Sequence, residues 1–79
     1  MPATSSPFKQ QFGAHLRAYR RSLGLSQEAM AERLDVSVQY LGRLERGENV
    51  SLDNIDRLAV SLGVDARDFL MGALTRNGH

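Results

Sequence analysis

The stretch LSQEAMAERLDVSVQYLGRLERG, residues 25–47 of a 79-residue chain, decides the fold. Its apolar residues recur three and four positions apart, which is the spacing of one face of an α-helix. Two such runs are separated by a short corner at Asp35 and Val36. The stretch therefore predicts two short helices packed around a tight turn, each with one apolar face.

The bounds of these two helices follow from their polar residues. Ser26 offers an N-cap hydroxyl to a helix over about residues 27–34, and Ser37 offers one to the next helix, which Gly47 ends. A corner residue in such a motif usually has a positive φ, which aspartate tolerates at some strain. Asp35 is therefore the predicted corner residue.

Three further helices are predicted outside this stretch. The first covers about residues 8–23 and ends at Gly24, the fourth begins at Ser51 or Asp53, and Asp65 caps a short fifth. Their inward stripes are Phe12, Leu16, Tyr19 and Leu23 in the first; Leu52, Ile55, Leu58, Ala59 and Leu62 in the fourth; and Phe69 and Leu70 in the fifth. No alternating β pattern occurs, so the fold class is predicted to be all-α, with five compact helices.

Composition excludes several functional classes. The chain has no cysteine and two distant histidines, so neither a metal site nor a cofactor is expected. The sequence identifies no arrangement of serine, histidine and aspartate for nucleophilic catalysis, and an enzyme is not expected. No apolar run is long enough to span a membrane, and the start does not resemble a signal peptide, so a cytoplasmic protein is expected. Residues 8–74 should form one domain between flexible tails at 1–7 and 75–79.

The net charge is only +1, but it is unevenly distributed. Residues 8–23 carry Lys9, Arg17, Arg20 and Arg21 and no acidic residue. A basic front of this kind suits a polyanion. A solvated basic helix face would give the same pattern.

From Leu25 to Leu70 the chain resembles the XRE-like helix-turn-helix family of phage repressors (Cro and C1 type), which includes restriction–modification controller proteins. The matching segments are LGLSQEAMAERL, DVSVQYLGRLERG, SLDNIDRLAVSLGV and DARDFL. The resemblance implies a lambda-repressor-like domain whose third helix enters the major groove of DNA. It implies base contacts from Val38, Gln39 and Arg43, and backbone contacts from Gln27, Ser37, Tyr40, Arg17 and Arg46. It also implies a structural ion pair between Arg20 and Glu45.

Simpler interpretations of these residues remain open. Gln39 and Arg43 could be solvated, Tyr40 could pack on the second helix, Gln27 could be a first-turn residue, and the Arg20–Glu45 pair could be exposed. Two departures from the family stand out. The loop GENVSL is about one residue short and carries Glu48 where a basic residue is common, and Gly42 lies inside the third helix. Gly42 could bring that helix closer to DNA or have no role.

The predicted function is sequence-specific regulation of transcription by a homodimer on a palindromic double-stranded operator. The expected dimer interface is an apolar C-terminal patch of Phe69, Leu70, Met71 and Leu74, although these residues could instead complete the core. The short remainder of the chain leaves no room for a sensing domain, so no small-molecule ligand is expected. The alternative function is an antitoxin-type protein-interaction module with the same fold.

Overall fold

The structure, a computed structural model, describes the backbone of residues 7–75 and the side chains of residues 7–72. Its helices are α1 (Pro7–Ser22), α2 (Gln27–Leu34), α3 (Val38–Glu45), α4 (Leu52–Leu62) and α5 (Ala66–Thr75), and residues 7–75 contain no strand. The all-α prediction is confirmed. The predicted tails fall almost entirely outside the described residues, but Pro7 already belongs to α1 and Thr75 still belongs to α5. None of the described helices is long and apolar enough to cross a membrane.

Side-chain oxygens cap the N-termini of α2 to α5. The hydroxyls of Ser26, Ser37 and Ser51 each accept a hydrogen bond from the backbone N–H three residues later, at 3.0–3.1 Å. At the start of α5, Asp65 Oδ1 accepts from the backbone N–H groups of Arg67 and Asp68, two and three residues later, at 2.8 and 3.2 Å. The backbone N–H groups of Asp68 and Arg67 lower the pKa of Asp65, because they stabilise its charged form. Of the two residues predicted to start α4, Ser51 is the N-cap, because its hydroxyl accepts from Asn54 N–H.

Each of the first four helices ends in a left-handed residue. These residues are Gly24, Asp35, Gly47 and Gly63, with φ between 60° and 86°. At each end the N–H of the left-handed residue and the N–H of the next residue bond back to carbonyls of the last turn, as in the Schellman motif; Val36 N–H, for example, donates to Ala31 O at 2.9 Å. Asp35 is the predicted corner residue, and it is the only one of the four that carries a side chain.

The core is formed by the inward faces of all five helices. Its fully buried large side chains are Phe12, Leu16, Met30, Leu41 and Leu44. Leu52 was predicted to continue the α4 stripe, but it is 75% exposed, because the buried face of α4 begins at Ile55. Leu23 is also largely exposed, since α1 ends one residue before it.

Phe69 belongs to this core, as its predicted place in the inward stripe of α5 requires, so its second prediction, as part of an exposed dimer patch, is wrong. Its ring packs edge-to-face against Phe12 and Tyr19, at centroid distances of 5.6 and 5.7 Å. These contacts anchor α5 to α1. Of the other residues in that prediction, Leu70 is half-buried and Met71 is 53% exposed. The side chain of Leu74 lies outside the described residues.

Helices α1 and α3 approach each other closely at two glycines. A Cβ atom added to Gly13 would lie 2.5 Å from the carbonyl oxygen of Glu45 and 2.7 Å from that of Leu44. At Gly47 an added Cβ would lie 3.0 Å from backbone atoms of Lys9 and Gln10. Backbone therefore packs on backbone where α1 crosses the end of α3.

We expect Gly13→Ala to lower the free energy of unfolding by about 1–3 kcal/mol, because the added methyl group would overlap main-chain atoms that cannot rotate away. Gly42→Ala is the matched control within a helix. There the added Cβ would meet only the end of the Arg46 side chain, at 3.5 Å. Helix propensity should then raise stability by up to about 1 kcal/mol. Urea unfolding of both variants tests this, and a gain at both positions would contradict the close approach.

Candidate nucleic-acid interface

Helix α3 presents one polar face to solvent. Gln39 and Arg43 are exposed and stand four residues apart, so they lie on the same side of the helix. Leu41 and Leu44, on the other side, are fully buried. The polar face can therefore contact a partner without disturbing the core.

Val38 and Tyr40 are less exposed than their predicted contacts with DNA suggest. Both are half-buried, and both pack against the hydrophobic core. Ser37 is exposed, and its hydroxyl is engaged as the N-cap of α3, accepting from Tyr40 N–H at 3.0 Å. For Tyr40 the structure favours the packing alternative for at least part of the ring.

The N-terminal end of α3 is fixed by the corner that joins it to α2. Asp35 is left-handed with φ 60° and ψ 45°, and its N–H bonds back to α2. Met30 and Leu34 of α2 belong to the same buried cluster as Leu41 of α3. Local hydrogen bonds and shared packing thus fix the angle between the two helices.

The C-terminal end of α3 is fixed by a buried ion pair. Arg20 Nε donates to Glu45 Oε2 at 2.7 Å, and Arg20 Nη2 donates to Glu45 Oε1 at 3.2 Å. The two side chains are only 10% and 4% exposed, so the alternative of an exposed pair is wrong. The bidentate bond raises the pKa of Arg20, partly offset by the desolvation that accompanies burial. A third bond, from Arg20 Nη1 to Leu25 O at 2.9 Å, ties the α1–α2 loop to the same guanidinium.

Gln27 joins this network through a contact that the sequence did not predict. Its Nε2 donates to Glu45 Oε1 at 3.1 Å, across 18 residues of sequence. The amide has a second proton, so the predicted contact with a phosphate requires that remaining N–H. No local pattern indicated the bond, because it depends on how α2 packs against the end of α3.

The basic residues of the predicted interface differ in their surroundings. Arg17 and Arg43 are exposed. Arg46 is also exposed, but its Nε lies 3.2 Å from Glu48 Oε2. Sequence spacing could have indicated this pair, since the two residues are only two positions apart. Among the residues that the structure describes, no group of three or more histidine or acidic side chains could hold a metal ion.

The chain is similar in sequence to known proteins. A family model described as Helix-turn-helix matches residues 16–69. The control protein C.BamHI of Bacillus amyloliquefaciens is 43% identical over 61 residues, which cover 75% of each chain.

Two solved structures have the same fold. The clp gene regulator ClgR of C. glutamicum superimposes with a TM-score of 0.75 at 31% identity, covering 92% of this chain and 96% of that one. The restriction-modification controller protein C.AhdI of Aeromonas hydrophila gives a TM-score of 0.66 at 42% identity, covering 77% and 94%.

We expect Glu45→Met alone to destabilise the protein by about 3–5 kcal/mol, because it leaves the Arg20 guanidinium buried without its carboxylate. Adding Arg20→Met should recover most of this loss, since two apolar side chains replace the pair. Urea unfolding of both single variants and the double variant measures the coupling.

Arg67→Met is the control for an exposed pair. Arg67 lies 3.6 Å from Asp65 and its side chain is 90% exposed, so the variant should be less stable by under about 1 kcal/mol. Equally small effects of Glu45→Met and Arg67→Met would contradict a structural role for the buried pair.

Proposed function

The chain belongs to the helix-turn-helix family of DNA-binding transcription regulators, and from this premise we propose that it binds an inverted-repeat operator as a homodimer. The observation that carries the proposal is the solvent-facing side of α3, where Gln39 and Arg43 project from a helix held firmly at both ends. An α-helix fits the major groove, where each base pair presents a distinct pattern of donors and acceptors. We place the protein in the cytoplasm, with the DNA it would regulate.

Three residues of α3 are proposed to recognise bases. Gln39 would bond bidentately to an adenine edge and Arg43 to a guanine edge, each discriminating by about 1–3 kcal/mol. Val38 would contact a thymine methyl group with the part of its side chain that the core leaves exposed. Because both ends of α3 are fixed, the helix backbone requires little ordering on binding, and the ordering cost falls on the exposed Gln39 and Arg43 side chains.

Backbone contacts are proposed on either side of the base contacts. Ser37 and Tyr40 lie at the start of α3, and Arg17 and Arg46 supply exposed guanidinium groups. Gln27 would donate its second amide proton to a phosphate, while its first stays with Glu45. Such contacts position the protein on the duplex and carry no sequence information.

The size of the protomer is compatible with the proposed homodimer. The protomer measures 32 × 27 × 22 Å, so two copies side by side can place equivalent α3 helices about 34 Å apart, which is one turn of B-DNA. With Phe69 in the core, the apolar surface proposed for the dimer is reduced to Met71 and the exposed part of Leu70, with Leu74 beyond the described side chains. Regulation would follow from protein concentration and operator position, as in a controller or a Cro-type repressor.

Selection of bound duplexes from a random-sequence pool, at near-physiological salt, tests the proposed function. We expect enrichment of an inverted repeat whose half-sites are centred about one helical turn apart. Weak, salt-sensitive binding without any enriched sequence would contradict the proposal and favour the protein-interaction alternative.

The proposed roles of two arginines are separable on the selected operator. Arg43→Ala should flatten base preference at one position of each half-site and weaken binding to the operator by about 1–3 kcal/mol for each half-site. Arg17→Ala should weaken binding to all sequences alike and reduce the salt slope by about 1 for each phosphate that Arg17 neutralises. Titrations against the operator and its single-base variants measure both effects. Equal, sequence-independent weakening by the two variants would contradict the assignment of Arg43.

A further inference from the structure

An acidic side chain lies beside a proposed phosphate contact at the end of α3. Glu48 Oε2 accepts from Arg46 Nε at 3.2 Å, and the Arg46 and Glu48 side chains are 63% and 39% exposed. The pair lies immediately after the helix that carries Gln39 and Arg43. Glu48 is therefore close to the proposed DNA-binding face and engages one of its cations.

The backbone holds this acidic residue in place. Glu48 N–H donates to Arg43 O at 2.8 Å, and Gly47 N–H donates to Leu44 O at 3.0 Å, which closes the C-terminal motif of α3. Gly47 in turn packs closely against the backbone of α1. The position of Glu48 relative to Arg46 is thus a property of the folded helix end.

A carboxylate and a phosphate offer the same kind of charged oxygen acceptor to a guanidinium group. We propose that Glu48 sets the affinity for DNA by occupying Arg46 and competing with a DNA phosphate for it. This inference rests on the proposed function, because it assumes that Arg46 faces DNA. An exposed pair is weak enough for a phosphate to displace the carboxylate, so Glu48 lowers affinity without preventing contact.

The competition has a specific signature. It concerns a phosphate contact, so it acts equally on all sequences. Removing the carboxylate should strengthen binding by about two- to five-fold per protomer, the range that corresponds to an exposed ion pair. The salt dependence should also steepen by up to about one released counterion per protomer, because Arg46 would then neutralise a phosphate that it now shares with Glu48.

The experiment measures binding to a mixed-sequence duplex of about 30 base pairs, long enough for two half-sites one turn apart, over a salt series. The variants are Glu48→Gln, Arg46→Ala and the two together, with thermal unfolding as a check that each is folded. We expect Glu48→Gln to tighten binding about two- to five-fold per protomer, hence about four- to twenty-five-fold for a dimer on two half-sites, and to have no effect once Arg46 is alanine. A gain that persists in the Arg46→Ala background would overturn the inference, since it would show plain repulsion between Glu48 and DNA.

Glu32→Gln is the matched control for net charge. Glu32 is exposed on α2, and within residues 7–72 it forms no ion pair. A gain from Glu32→Gln equal to that from Glu48→Gln would overturn the inference in favour of a general charge effect. The proposed function can fail separately. If no variant binds any duplex, both proposals are overturned. If the protein binds its selected operator but Glu48→Gln strengthens that binding equally with and without Arg46, only the role of Glu48 is overturned.

Discussion

The close contact between α1 and the end of α3 is the constraint on which the rest of the structure depends. Gly13 allows the main chains to meet there, and the Glu45 carboxylate binds Arg20 within the same contact. Because a carboxylate has two oxygens, Glu45 also accepts from Gln27 of α2. One acidic side chain thereby orients three helices, and α3 is held so that its polar face remains available to solvent.

The helix ends supply the second part of this arrangement. Serine or aspartate caps begin α2 to α5, and left-handed residues end α1 to α4, so backbone polar groups near the turns find local partners. Short connections of this kind leave adjacent helices few relative orientations. The helix-turn-helix geometry is therefore fixed by hydrogen bonds within the corner together with packing beneath it.

Much of this could be predicted from sequence because it is local. The serine caps, the glycine ends and the left-handed corner at Asp35 each follow from a few neighbouring residues. The Arg20–Glu45 pair was predicted from the family resemblance, because the spacing of residues does not indicate a contact between positions 25 residues apart. The features that could not be predicted depend on tertiary packing: the closeness of Gly13 to α3, the Gln27–Glu45 bond and the exposure of Leu52. Apolar periodicity identifies a helix face but not where along the helix its burial begins.

The packing of α1 has a consequence for the distance between the two α3 helices of a dimer. The same helix holds α3 through Gly13 and Arg20, and holds α5 through the contacts of Phe12 and Tyr19 with Phe69. If two protomers associate through α5, the path from one α3 helix to the other runs through packed helices and crosses no flexible loop. The preferred spacing between half-sites would then be determined by packing in the hydrophobic core. Substitutions in that core would change which operator spacing is preferred, while the preferred bases would remain the same.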